Sequence, residues 1–263
     1  MGKTYVIEHM EADEQVHEKP LPEWVVLEYH HILQQIGVEG KKISKPAITA
    51  SPVDLTTTKP IGSSTPSRVI FANLSSAGTD GLIDLLNQRT ETPVARSLRA
   101  VSSTPTADLA QPDRCICTML PVLELMSAER ISLSEVCLLD PRAETVLEPA
   151  DAKRFRWFLF GGILGDDPPR DRTAQLRKFG FPSRHLGPIQ MTTDTAVAVS
   201  KRIVEDGIEL ENLPWTDRPT LNFGPRESVE MPFRYLADES GSPIMPQGMK
   251  ELIHKDMDRA FEF

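Results

Sequence analysis

Apolar residues along this chain follow two patterns. Unbroken runs at Tyr5-Val6-Ile7, Val69-Ile70-Phe71-Ala72, Cys115-Ile116-Cys117-Thr118-Met119-Leu120, Val136-Cys137-Leu138-Leu139 and 155–160 predict five strands. The runs are continuous and not alternating, so both faces of each strand are expected to be covered, as in a parallel sheet. Between the runs the period lengthens. Val25, Tyr29, Ile32, Leu33 and Ile36 recur at helical spacing, with Pro22 at the start and Gly37 at the end. Further helices are predicted near 81–88, over 172–179 before Gly180, and after Thr192, where Ala196, Val199, Ile203 and Val204 share a face as far as Gly207. Thr192, Thr193, Asp194 and Thr195 offer capping side chains to that helix, and a cap is the favoured role for Asp194. Residues 227–237 read as strand or irregular pairing, and Met249, Leu252, Ile253, Met257 and Phe261 mark an amphipathic C-terminal helix. Strands alternating with helices make the class α/β.

Composition refines this picture. At 263 residues a single domain with its own core is expected. Residues 40–67, rich in Ser, Thr, Pro, Lys and Gly, read as a flexible insertion, and 227–263 as a C-terminal extension. No run reaches the roughly 18 apolar residues of a membrane span, and the N-terminus is too short and too soon acidic for a signal peptide. Cys115, Cys117 and Cys137 lie inside apolar runs, which predicts buried thiols and a cytoplasmic protein. The net charge is −9, and residues 1–40 hold eight acids against Lys3 and Lys19. Nucleic-acid binding needs a basic face, so direct contact with nucleic acid is not expected. A basic protein partner suits this charge. Glu8 and His9 on a strand end point to opposite faces, His30 and His31 diverge on a helix, and Cys115-x-Cys117 has no completing pair, so no metal site is expected.

Candidate chemistry gathers where the run over 155–160 ends. Gly161, Gly162 and Gly165 follow it, then Asp166, Asp167, a Pro-Pro and the cluster Arg170-Asp171-Arg172. Glycine lets a backbone approach a ligand, and ligands of open α/β sheets collect at the carboxyl ends of strands. A second loop, Leu186-Gly187-Pro188-Ile189-Gln190-Met191, also leads into a helix, whose first turn presents free N–H groups. Loops of this kind suit a nucleotide-like ligand: Leu186, Ile189 and Met191 could line an apolar slot for adenine. The chain has neither a dinucleotide fingerprint nor a P-loop lysine.

The pair of loops, Leu159-Phe160-Gly161-Gly162…Gly165-Asp166 and Leu186–Ala196, resembles the cofactor loops of SPOUT-class methyltransferases. Tyr5-Val6-Ile7-Glu8-His9-Met10-Glu11, Trp24 with Glu28-Tyr29, Asp140-Pro141-Arg142-Ala143, Glu227–Tyr235 and Pro246-Gln247-Gly248-Met249 narrow the resemblance to one branch. That branch is the SPOUT protein-arginine methyltransferase family known from yeast, which acts on an arginine of the third small-subunit ribosomal protein. The resemblance implies a mostly parallel sheet flanked by helices, a C-terminal trefoil knot, S-adenosylmethionine as cofactor and a monomer. It implies that Leu159, Phe160, Gly161, Gly162, Gly165, Leu186, Gly187, Gln190, Met191, Thr192, Thr193 and Ala196 surround the cofactor.

The acceptor chemistry follows from arginine itself. A guanidinium of pKa above 12 is a weak nucleophile and must be held in line with the methyl donor, with a carboxylate to take the lost proton. Glu8, Asp140, Asp166 and Asp171 form the shortlist, with Glu11 and Glu144 as further acids. Arg142, Arg170 and Arg172 either pair with these acids or hold the cofactor carboxylate. Two other functions stay open on the sequence: an RNA methyltransferase, the commoner work of the SPOUT class, and a non-enzymatic ribosome-assembly factor that keeps the fold.

Overall fold

Seven strands pair edge to edge in one sheet, and every pair is parallel. In the computed structural model the described residues are 2–10, 21–38, 65–90, 93–98, 114–162, 171, 173–225 and 227–260. The strands are β1 (Thr4–His9), β2 (Arg68–Ala72), β3 (Ala95–Ser97), β4 (Cys115–Cys117), β5 (Val136–Leu139), β6 (Trp157–Gly162) and β7 (Ser183–Arg184), in the order β3-β4-β2-β1-β6-β5-β7. Unbroken apolar runs form this sheet because helices cover it on both sides.

Alternate residues of each strand serve different layers. Tyr5, Ile7, Phe71, Phe158 and Phe160 face α1 (Glu23–Ile36), α2 (Ser76–Gln88) and α5 (Thr193–Val204). Val6, Ile70, Leu138, Trp157 and Leu159 face α3 (Val122–Glu129) and α4 (Ala174–Arg177). After β6 the chain crosses β5 to form β7 at the sheet edge. It then returns as α5, whose Val197, Val199 and Ile203 pack in the layer of α1. Two antiparallel ladders follow, β8 (Trp215–Asp217) with β11 (Arg234–Leu236) and β9 (Thr220–Gly224) with β10 (Glu227–Glu230), and α6 (Met249–Ala260) comes last.

Several elements depart from the sequence reading. The third predicted strand stops at Cys117, because Thr118 turns back to the Phe71 carbonyl and its hydroxyl donates to the Leu98 carbonyl, leaving Met119 56% exposed. α3, unforeseen, begins just after Pro121 and buries Val122, Leu125 and Met126. β3 lies in a stretch with no apolar run of its own, and its Ala95 is buried under α2. α4 spans four residues, shorter than the helix expected over 172–179. The insertion read over 40–67 lies outside the described residues up to 64; beyond that, Ser67 is buried and accepts the Lys3 N–H at 2.8 Å. All three cysteines are buried free thiols. A hydrogen bond with Cys117 and burial push the Cys115 thiol well up, and burial pushes that of Cys137 up to about 12, so neither is a nucleophile. Among the described residues no helix is long and apolar enough to cross a membrane, and no cluster of side chains could hold a metal.

Candidate active site

A cavity of about 390 Å³ opens at the carboxyl ends of β5 and β6, where ligands of parallel sheets bind. Leu139, Asp140, Phe160 and Gly161 form its floor, Asp171 and Thr173 one side, and the loop from Leu186 to Met191 the other. Thr193 and Ala196, from the first turns of α5, complete the wall. The structure thus brings the second loop together with Phe160, Gly161, Asp171 and Thr173, the described residues of the first stretch that line the cavity. Of the residues expected around a cofactor, Phe160, Gly161, Leu186, Gly187, Gln190, Met191, Thr193 and Ala196 line the cavity. Three others do not. Leu159 is packed in the α3 layer, and the Thr192 hydroxyl donates to Thr195 at 2.8 Å. Gly162 is small for a packing reason: a Cβ there would lie 2.9 Å from the Glu8 carbonyl oxygen and 3.1 Å from the Tyr29 hydroxyl. Gly165 and Asp166 lie outside the described residues.

The second loop is held from several directions. Gly187 adopts φ +92°, a conformation glycine tolerates, and donates its N–H to His185 Nδ1 at 3.0 Å. The Gln190 carbonyl accepts the Arg234 N–H at 2.8 Å, so β11 of the C-terminal extension braces the cavity wall. Arg234 is itself fixed by two bonds to Asp217 (2.5 and 2.7 Å) and lies over the Trp215 ring. Within this wall the Thr193 hydroxyl is buried and has no hydrogen-bond partner among the described residues. A buried hydroxyl without a partner is costly unless a ligand supplies one.

Two of the shortlisted acids are already occupied. Asp140 accepts Arg177 Nε at 2.5 Å and Nη2 at 2.9 Å, together with the Thr173 hydroxyl and the Arg142 N–H. Burial would raise its pKa, but the Arg177 and Arg142 hydrogen bonds outweigh burial and hold the carboxyl below its usual range. Asp171 takes Arg177 Nη1 and Nη2 at 3.2 and 3.1 Å, which likewise holds it low. Arg177 therefore bridges both acids with one guanidinium fork. The sequence reading gave Arg177 no role; its partner Asp140 is remote in the chain, and nothing in the local pattern links them.

Glu8 differs. It sits at the carboxyl end of β1, paired in register with the cavity-lining Gly161, while Asp140 continues β5 on the other side of Gly161. All three lie on the face that holds Val6, Leu159 and Leu138. At a strand spacing of about 4.8 Å the backbones of the two acids stand roughly 10 Å apart, with the side-chain-free Gly161 on the strand between them. Glu8 is 4% exposed, and its carboxylate accepts the Val122 N–H at the start of α3 at 3.1 Å. Burial outweighs this bond and raises its pKa to about 7.

Asp194 is not the helix cap expected. Thr192 occupies that position without a side-chain cap bond, and Asp194 turns inward to meet His31 Nδ1 at 2.6 Å. Glu28, one turn before His31 on α1, is buried nearby; burial and the Asp194 charge raise its pKa well above normal. Burial first, then the charges of Asp194 and Glu28, push the Tyr235 phenol well above its ordinary value. This cluster joins α1, α5 and β11 behind the cavity wall.

Comparison with known proteins now decides the family. The family model for protein arginine N-methyltransferase SFM1-like proteins matches residues 63–260. Protein arginine N-methyltransferase SFM1 of Saccharomyces cerevisiae is 37% identical over 256 residues, covering 96% of this chain and 94% of that protein. The chain belongs to the SFM1-like family. The crystal structure of yeast SFM1 complexed with SAM superposes at a TM-score of 0.68, with 33% identity over 97% of this chain and 92% of that one. Its complex with SAH gives 0.66, with 33% identity over 95% and 94%. For this SFM1-like chain the cavity described above is the candidate cofactor site. It offers an apolar floor, backbone groups from the Gly187 loop and the unpartnered Thr193 hydroxyl, a combination that fits an adenosyl group with its polar edges.

Proposed function

We propose that this enzyme, an S-adenosylmethionine-dependent protein-arginine methyltransferase, monomethylates an arginine of the third small-subunit ribosomal protein. The family resemblance motivates the substrate, and the net charge of −9 suits so basic a partner. The reading includes a single cytoplasmic domain, active as a monomer. It also includes a trefoil knot, supported by the path of the chain, which leaves β6, crosses β5 to β7 and returns as α5.

The bound cofactor supplies an electrophilic methyl on a sulfonium. Phe160, Gly161, Leu186, Gly187, Gln190, Met191, Thr193 and Ala196 hold its adenosyl part. Glu8 is the general base, and the observation that carries this role is its position. It flanks Gly161, and among the described residues no arginine is bonded to its carboxylate, whereas Asp140 and Asp171 are both bridged by Arg177. As the guanidinium nitrogen forms its bond to the methyl carbon, the carbon–sulfur bond breaks and its electron pair goes to sulfur. The proton displaced from that nitrogen passes to the Glu8 carboxylate. A base with pKa about 7 is half ionised at neutral pH, which suits it to this work.

Incubation with methyl-labelled cofactor and purified ribosomal protein, beside ribosomal and transfer RNA, tests the substrate. Label is expected in the protein alone; label confined to RNA would overturn the proposal in favour of RNA methylation.

A further inference from the structure

We propose that Arg142 is the residue that receives the carboxylate of the cofactor's amino-acid end, and that Arg177 makes this possible by neutralising the acids around it. The inference rests on the cavity being the S-adenosylmethionine site. Arg142 lines that cavity and is the one cation to do so among the described residues. Its backbone is fixed: the N–H donates to Asp140 Oδ1 at 3.0 Å, and the Ala143 N–H closes a turn on the Asp140 carbonyl at 3.0 Å. Its side chain is not fixed. It is 69% exposed, and its one ion pair among the described residues, at 3.2 Å, is with an Asp171 oxygen that also accepts from Arg177. A guanidinium carried on a rigid turn, facing a cavity and weakly engaged, is arranged to receive a planar anion.

Charge supports the same assignment. Asp140 and Asp171 both line the cavity, and two bare carboxylates there would repel a carboxylate ligand. Arg177 carries hydrogen bonds to both and cancels one charge. Arg142 cancels the other, so the four groups sum to zero and can accept a zwitterionic amino-acid group. The ligand's ammonium then lies near the acids while its carboxylate takes the Arg142 fork in place of the weak Asp171 contact.

Two ligands separate this role from general damage. S-adenosylhomocysteine carries the amino-acid end, and methylthioadenosine has the same adenosyl part without it. In calorimetric titrations of the full chain, Arg142→Gln is expected to weaken S-adenosylhomocysteine at least tenfold and methylthioadenosine less than twofold, with Arg142→Lys in between for the first ligand. Equal losses for both ligands, or no loss for either, would overturn the assignment. Failure of the wild-type protein to bind either ligand would instead overturn the cofactor site itself, and this inference with it.

Discussion

At the scale of single residues, Glu8, the proposed base, links catalysis to stability. Its raised pKa means the folded chain holds a proton there between about 4.5 and 7 that the unfolded chain has released. Stability is therefore lost as pH rises through that window, by about 3 kcal/mol from this one group. Glu8→Gln keeps an acceptor for the Val122 N–H and removes the buried charge. Urea titrations should find this variant within about 1 kcal/mol of wild type at pH 5 and up to about 3 kcal/mol more stable at pH 8. A variant less stable than wild type at pH 8 would contradict the assigned environment. The same substitution should cost about 10²–10⁴ in kcat. The wild-type rate should rise with pH through an ionisation near 7, and that ionisation should vanish from the residual rate of the variant. Glu8 was legible in the sequence as an acid ending an apolar run. What separates it from Asp140 and Asp171 was not legible, because Arg177 meets Asp140 only after the chain has folded.

At the scale of elements, α5 is fixed from behind by α1. With the Gln35 amide nitrogen 2.8 Å from His31 Nε2, a neutral imidazole satisfies both neighbours, donating to Asp194 through Nδ1 and accepting from Gln35. Asp194→Ala leaves the buried Nδ1–H without its acceptor and is expected to cost about 1–3 kcal/mol by chemical denaturation. Asp194→Asn keeps an acceptor and should cost less; an equal or larger loss for Asn would show that charge, not the hydrogen bond, is the useful part. Gly162→Ala forces a Cβ against the β1 backbone and is expected to destabilise by about 1–3 kcal/mol without selectively weakening cofactor binding, as calorimetry would show. The α5 boundaries were legible because its apolar period and Gly207 agree. α3 was hidden because the apolar residues before it extend the β4 run, and β3 because three residues with one buried position leave no periodic signal.

At the scale of the molecule, parallel topology places the carboxyl ends of β1, β5 and β6 side by side, which assembles Glu8, Gly161 and Asp140 from three distant segments. The continuous apolar runs foretold the parallel sheet, and the two glycine loops pointed to the end of the sheet where the cavity opens. Strand order did not follow from either, since only tertiary packing sets β6 between β1 and β5. With a net charge of −9 and the basic substrate proposed, the KM for the ribosomal protein should rise several-fold between 50 and 300 mM salt while kcat changes little. A salt-independent KM would argue against electrostatic recognition. The most direct test of the account is tandem mass spectrometry of the ribosomal protein after reaction with the wild-type enzyme and with Glu8→Gln. The account predicts one methyl on a single arginine nitrogen with wild type and almost none with the variant. Methylation of any other residue type, or full methylation by the variant, would contradict it.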